Sequence, residues 1–232
     1  MDGYADLWSM NIALIGATGL TGSELLKQLL ADNTVHSVRL LVRKPLPPLP
    51  AKVEVHVVDF SDPGAYGTAL EGCDVLFVAI GTTMRKVRGD RKAYRAIDHD
   101  IPAFAARAAA AKGVRVFGLV SSVGADASLR SNFYLRLKGE TEEEVSRHGI
   151  HKVLLARPSF LMGDRQENRP AERMAQVVLV PLMDRLLPPR WSRYHSIAAA
   201  DVARALVSGA KNLPEGRHIL EYDALMALSK GI

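Results

Sequence analysis

Three glycines at a fixed spacing decide most of what this chain can become. Residues 16–22 read Gly-Ala-Thr-Gly-Leu-Thr-Gly, after the apolar run 12–15 and before a segment with apolar residues at 25, 26, 29 and 30. The run predicts a buried strand, and the spacing predicts a helix over 20–30. A strand that passes so quickly into a helix needs glycine. Gly16 allows the tight turn, Gly19 lets a ligand approach the backbone, and Gly22 lets the helix pack close to the strand. The free N–H groups and positive end of such a helix attract phosphate.

The same alternation continues along the chain. Strands are expected over 38–42, 53–58, 75–80, 114–120 and 152–156. Helices are expected over 91–112, closed by Gly113, and over 132–147, closed by Gly149. Strands rich in Val, Ile and Leu on both faces need cover on both sides, which parallel crossovers provide. The expected fold class is therefore α/β, a doubly wound parallel sheet of the Rossmann type. It should form one domain over 1–232, with its core over 11–157. Pro158 and the polar stretch 163–170 then break the pattern. Helical segments over 171–187 and 197–211, with a short strand over 218–221, are read as a small C-terminal lobe (158–232) on the substrate side.

Composition excludes several functions. At 232 residues and 48% hydrophobic, the chain can bury a substantial core in one domain. Its net charge of +5 would permit an anionic surface as partner. The basic residues are dispersed, however, apart from 85–92 and 185–193, and neither run interleaves aromatics in a recognisable RNA-binding pattern. Neither nucleic acid nor membrane is expected as a partner. The start of the chain carries Asp2 and Asp6 and lacks a basic segment followed by an apolar run, so no signal peptide is expected. A single cysteine, Cys73, excludes an intramolecular disulfide and suits a reducing compartment. A cytoplasmic location follows. No His, Cys and carboxylate cluster has metal-ligand spacing, so no metal is expected.

Set in the first βα unit, the glycine motif predicts a dinucleotide whose pyrophosphate lies against Gly16, Thr18, Gly19, Leu20, Thr21 and Gly22. Proteins that bind NAD tend to place an acid about 20 residues further on, where it holds the ribose hydroxyls. Here that position holds Arg43, followed by Lys44. A carboxylate repels a 2′-phosphate, whereas a guanidinium grips it with two hydrogen bonds. NADP is the expected cofactor. Asp59 and Phe60 close the third strand, where adenine would lie. Gly81, Thr82 and Thr83 close the fourth, near the pyrophosphate and nicotinamide ribose.

Ser121 and Ser122 end the fifth strand, and Tyr134 and Lys138 sit one turn apart on the helix that follows. Carbonyl reduction by hydride needs a proton donor, and a phenol can serve. A free phenol titrates near about 10, and a neighbouring ammonium favours its ionised form. A serine hydroxyl can stabilise charge on the substrate oxygen. Ser122, Tyr134 and Lys138 are the expected catalytic set.

The glycine motif, the serine pair, Tyr134-x-x-x-Lys138 and Arg157-Pro158 together resemble an atypical short-chain dehydrogenase/reductase. More closely, Gly81-Thr-Thr83, Ser121-Ser-Val-Gly-Ala-Asp126, Tyr134-Leu-Arg-Leu-Lys-Gly-Glu140 and Asp164-Arg-Gln-Glu-Asn-Arg-Pro170 resemble the Tat-interacting-protein oxidoreductase family, over residues 11 to 222. The resemblance implies bound NADPH and a serine–tyrosine–lysine set. By it, Lys138 also holds the nicotinamide ribose, Pro158 lies beside the nicotinamide ring, and Ser121 and Arg157 belong to the cofactor site. It leaves open which serine acts; Ser122 is favoured because related enzymes tend to use the second of the pair.

The expected function is NADPH-dependent reduction of a carbonyl or quinone-like small molecule. The alternative is an NADPH-binding sensor or interaction protein without turnover, with a protein partner. A sugar-nucleotide epimerase ranks third, since the segment after residue 157 is short for a nucleotide-sugar lobe. Arg85, Lys86, Arg88 and Arg91 read as a solvated basic loop that could otherwise face an anionic substrate. His195 and Asp201 have no placed partner.

Overall fold

The computed structural model describes residues 9–163 and 188–231. In chain order its elements are β1 (Met10–Ile15), α1 (Leu20–Ala31), β2 (Val35–Val42), β3 (Val53–Val57), α2 (Tyr66–Leu70), β4 (Val75–Val78) and α3 (Arg91–Arg95). A π-helical turn (Ala96–Asp100) leads into α4 (Ile101–Ala111), β5 (Val116–Val120), α5 (Phe133–Ser146), β6 (Lys152–Ala156) and β7 (Leu161–Met162). After the undescribed segment come a 3-10 turn (Pro189–Tyr194), β8 (Ile197–Ala198), α6 (Ala199–Asn212), β9 (Gly216–Leu220) and α7 (Tyr222–Ser229).

Seven strands form one sheet in the order β3-β2-β1-β4-β5-β6-β9, with every pairing parallel. Successive side chains of a strand point to opposite faces, and β1 shows what that demands here. Ile12 and Leu14 pack with Leu25 and Leu29 of α1 and with Val202 and Leu206 of α6. Ala13 and Ile15 belong to the opposite cluster, with Leu70 of α2, Ala105 and Ala109 of α4, and Val145 of α5. Both faces are dry, so the strands carry apolar residues without alternation. The chain runs outward from β1 to β3, then crosses back to β4 on the other side of β1. That reversal opens a crevice at the carboxyl ends of β1 and β4, the place where such sheets bind ligands.

The fold departs from the sequence expectation in three places. The helix expected over 91–112 is continuous but widens into a π turn at Ala96–Asp100. Pro102 accounts for it: proline removes one intrahelical bond, and its ring crowds the carbonyl of the residue four before, which is Asp98. The strand expected over 218–221 is β9, and it pairs with β6 as the seventh strand of the main sheet. With α6 packed against α1, much of the segment assigned to a C-terminal lobe thus completes the central layers. Finally, β7 and β8 form a short parallel ladder of their own. The helix expected over 171–187 and the motif at 164–170 lie outside the described residues.

Candidate cofactor and catalytic site

Because all the strands are parallel, the segments singled out in the sequence emerge together at one edge of the sheet. Gly16 has φ +92°, and a Cβ there would stand 2.4 Å from the Ala79 carbonyl oxygen just beyond β4. A Cβ on Gly22 would stand 2.0 Å from the Gly16 carbonyl oxygen. Only glycine closes this turn. The Gly19 N–H donates to the Gly16 carbonyl at 2.9 Å, and α1 begins with no side-chain cap and no acid in its first turn. Its leading N–H groups have no side-chain cap, the kind of helix start that attracts an anion, and the backbone turn has no room for a Cβ at Gly16 or Gly22. Thr18 is exposed, Leu20 half-buried and Thr21 buried.

Arg43 and Lys44 follow β2 and are exposed at the same edge. Asp59 is also exposed; its Oδ1 accepts from the Ser61 N–H at 2.9 Å and from the Ser61 hydroxyl at 2.6 Å. These bonds hold its carboxyl below the usual range. Phe60 is turned inward, edge-on to Tyr66 at 5.7 Å, and its carbonyl accepts from the Tyr66 hydroxyl at 3.0 Å. Gly81 and Thr83 are exposed. Thr82 is pinned by its backbone: its N–H donates to Asp98 Oδ2 at 2.7 Å, and its carbonyl accepts from the Tyr94 hydroxyl at 3.2 Å.

Asn132 caps α5, its side chain accepting from the Leu135 N–H, so Tyr134 falls in the first helical turn with its ring 38% exposed. Lys138 is 5% exposed, and its Nζ stands 5.9 Å from the centre of the Tyr134 ring. On its other side Nζ is 2.9 Å from Asp98 Oδ1. Tyr94 meets Tyr134 edge-to-face at 6.5 Å, and burial together with the Asp98 charge pushes the Tyr94 hydroxyl up. Asp98 therefore joins three segments: its carboxylate holds Lys138 and Thr82, and its carbonyl accepts from the Thr141 hydroxyl at 3.2 Å. The sequence reading missed this residue. Pro102 inside a helical pattern was the signal that marked it.

The two serines part ways. The Ser121 hydroxyl is buried and donates to Glu142 Oε1 at 2.5 Å. Arg157 grips the same carboxylate through Nε at 2.9 Å and Nη2 at 2.5 Å, and Glu142 holds the guanidinium in its charged form above the usual range. The side chains of Ser121 and Arg157, both expected at the cofactor, are thus committed to Glu142. The Ser122 hydroxyl makes one long bond, 3.3 Å, to the Val123 carbonyl. Pro158 is buried, and its carbonyl accepts from the Val123 N–H at 3.0 Å. Glu142 was also missed, although it lies one turn beyond Lys138 on the same helical face.

The remaining candidates are dispersed. Arg85 and Arg88 are exposed, and the Arg91 guanidinium stacks on Phe133 at 5.1 Å. His195 packs edge-on to Tyr222, and Asp201 pairs with Arg204 in the first turn of α6. Cys73 is buried, which pushes its thiol up, away from a nucleophile's range. No cluster among the described residues is arranged to hold a metal.

A family model described as NAD(P)H-binding matches residues 16–212. The chain belongs to the NAD(P)H-binding family. Within this family it is 34% identical over 224 residues to Protein HTATIP2 of Rattus norvegicus, covering 95% of this chain and 89% of that one. This agrees with the resemblance carried by the sequence motifs. It is also 36% identical over 169 residues to the mitochondrial protein fmp52 of Aspergillus niger, covering 70% of this chain and 71% of the relative. Among solved structures, vestitone reductase from alfalfa superposes with a TM-score of 0.66 at 23% identity, over 92% of this chain and 77% of that one. A UDP-galactose 4-epimerase superposes with a TM-score of 0.65 at 16% identity, over 91% and 76%. At these identities the superpositions establish the Rossmann-like fold, and the family match supplies the nicotinamide cofactor. Among the described residues no helix is long and apolar enough to cross a membrane. The fungal relatives are named mitochondrial, so they lend no support to the expected cytoplasmic location.

Proposed function

We propose that this NAD(P)H-binding protein is an NADPH-dependent oxidoreductase that reduces a carbonyl or quinone-like small molecule, with Tyr134 as the proton donor. The observation that carries the reading is the pairing of a half-exposed phenol with a buried lysine on one face of α5. A tyrosine needed only for packing gains nothing from partial exposure with a buried ammonium near its ring. A nicotinamide dinucleotide in the glycine cradle would supply hydride. Tyr134 would give its hydroxyl proton to the substrate oxygen, and Ser122, with the less committed of the two serine hydroxyls, would hold that oxygen in place. Lys138 would bind the nicotinamide ribose and keep the phenol in register.

Steady-state rates over a panel of carbonyls and quinones test this. Tyr134→Phe keeps the ring and removes the acid, so turnover should fall by roughly two to four orders of magnitude while NADPH affinity stays near that of the parent. Near-normal turnover would place the proton elsewhere. If NADPH binds tightly and nothing on the panel is turned over, the regulatory, cofactor-sensing role gains.

Preference for NADPH over NADH is assigned to Arg43 and Lys44, exposed at the end of β2. Losing a charged pairing to the 2′-phosphate should cost about 2 kcal/mol, or roughly thirtyfold in affinity. Calorimetric titration of both cofactors should show that preference in the parent and its loss in Arg43→Ala. Equal affinities in the parent would overturn the assignment.

A further inference from the structure

Sequence logic gives Lys138 one electrostatic task, to stand beside Tyr134 as a lone cation. The structure adds a third member. Asp98 is 1% exposed and stands 2.9 Å from the Lys138 ammonium, which is itself almost wholly buried. In so dry a place a carboxylate cancels most of the field that an ammonium would exert on a neighbour. Asp98 is in turn fixed, by the Thr82 N–H on one carboxylate oxygen and by the π turn that carries it.

We propose that Asp98 is a positioning residue that carries the counter-charge of Lys138, so that Tyr134 meets a neutral ion pair and is kept as a protonated phenol. This rests on Tyr134 being the proton donor, and it adds a direction to that reading. A site that holds its tyrosine protonated is set for reduction, where the proton must be given; the reverse reaction needs the phenolate to accept one. Nearby charges are otherwise accounted for. Tyr94 of α3 faces Tyr134 as a neutral ring, and Arg91 lies over Phe133. Glu140 of α5 pairs with Arg95 and Arg136, and Glu142 is taken by Ser121 and Arg157.

The test reads ionisation, so it needs no substrate. Tyrosinate absorbance is followed against pH for the whole protein, and the same titration of a Tyr134→Phe background is subtracted to isolate Tyr134. Burial drives Tyr66 and Tyr94 to higher pH and out of the way. Asp98→Asn should move the Tyr134 midpoint down by about one pH unit, and Lys138→Met should move it up. The double variant Asp98→Asn/Lys138→Met should return to within about half a unit of the parent, because one neutral pair replaces another. If Asp98→Asn alone does not fold, adding it to Lys138→Met must still lower the midpoint by about one unit. A midpoint that ignores the Asp98 charge in both backgrounds would overturn the proposal. Such a failure would leave Tyr134 as donor untouched, since that assignment stands or falls on the turnover of Tyr134→Phe.

Discussion

Lys138 and Lys152 are almost equally withdrawn from solvent, at 5% and 8% exposure, and they sit at opposite ends of the sheet. Lys138 lies beyond the carboxyl ends of the strands and is matched by a full negative charge on Asp98. Lys152 opens β6 at the amino ends, and its ammonium donates to the Ala210 carbonyl at 2.8 Å, in the last turn of α6. A helix end carries only a fraction of a charge. Burial therefore wins at Lys152, with help from Arg115, and pushes its ammonium below the ordinary lysine value. Lys52 repeats the pattern nearby, donating to the Leu29 and Asp32 carbonyls at the end of α1. At the amino edge lysines stop helices. At the carboxyl edge a lysine is held by a counter-ion, Asp98, beside the Tyr134 ring.

Two substitutions sharpen this contrast. Lys138→Met strands the Asp98 carboxylate in a dry site, and unfolding in urea should show a loss of about 3–5 kcal/mol. A loss under about 1 kcal/mol would mean that the ion pair does not hold the two helices together. Lys152→Met removes one neutral-acceptor hydrogen bond together with an uncomfortable charge, so its effect should be about 1 kcal/mol or less in either direction.

The two sites also differ in pH dependence. Lys152 releases its proton at lower pH in the folded chain than in the unfolded one. Between that lowered value and the ordinary 10.5, the unfolded chain binds more protons, and stability contributed by this site rises with pH. Below the window the penalty for its buried charge is fully present. Lys152→Met should flatten the rise when variant and parent are compared across the window. An identical slope in both would show that the ammonium is not strained by burial.

The glycine turn was legible because its constraints are local. Gly16 and Gly22 are fixed by distances of 2.4 and 2.0 Å within one strand–helix turn, and a turn writes its needs into adjacent residues. Tyr134 and Lys138 share a helix and are joined by a simple period. Asp98 and Glu142 were not legible, because each is defined by partners far along the chain: Asp98 by Thr82 and Lys138, Glu142 by Ser121 and Arg157. The same limit hid the role of residues 216–220. A short strand carries no mark of the neighbour it pairs with, so the strand expected over 218–221 was assigned to the small C-terminal lobe of the single domain, without the pairing to β6 that makes it an edge of the main sheet.

Pro102 has a consequence for anyone who would stabilise this protein. Set at the second residue of α4, directly after the π turn, it withholds the N–H that a regular helix would offer the Asp98 carbonyl, and that carbonyl instead ties the helix to Thr141 of α5. A designer scanning for flaws would see a proline inside a helix and replace it with alanine, expecting a more regular and sturdier element. The repaired helix would rewind its π turn and swing Asp98 around its axis, away from Lys138 and Thr82. The irregularity is the address that delivers a carboxylate to the site, and mending it would leave a better helix in a worse machine.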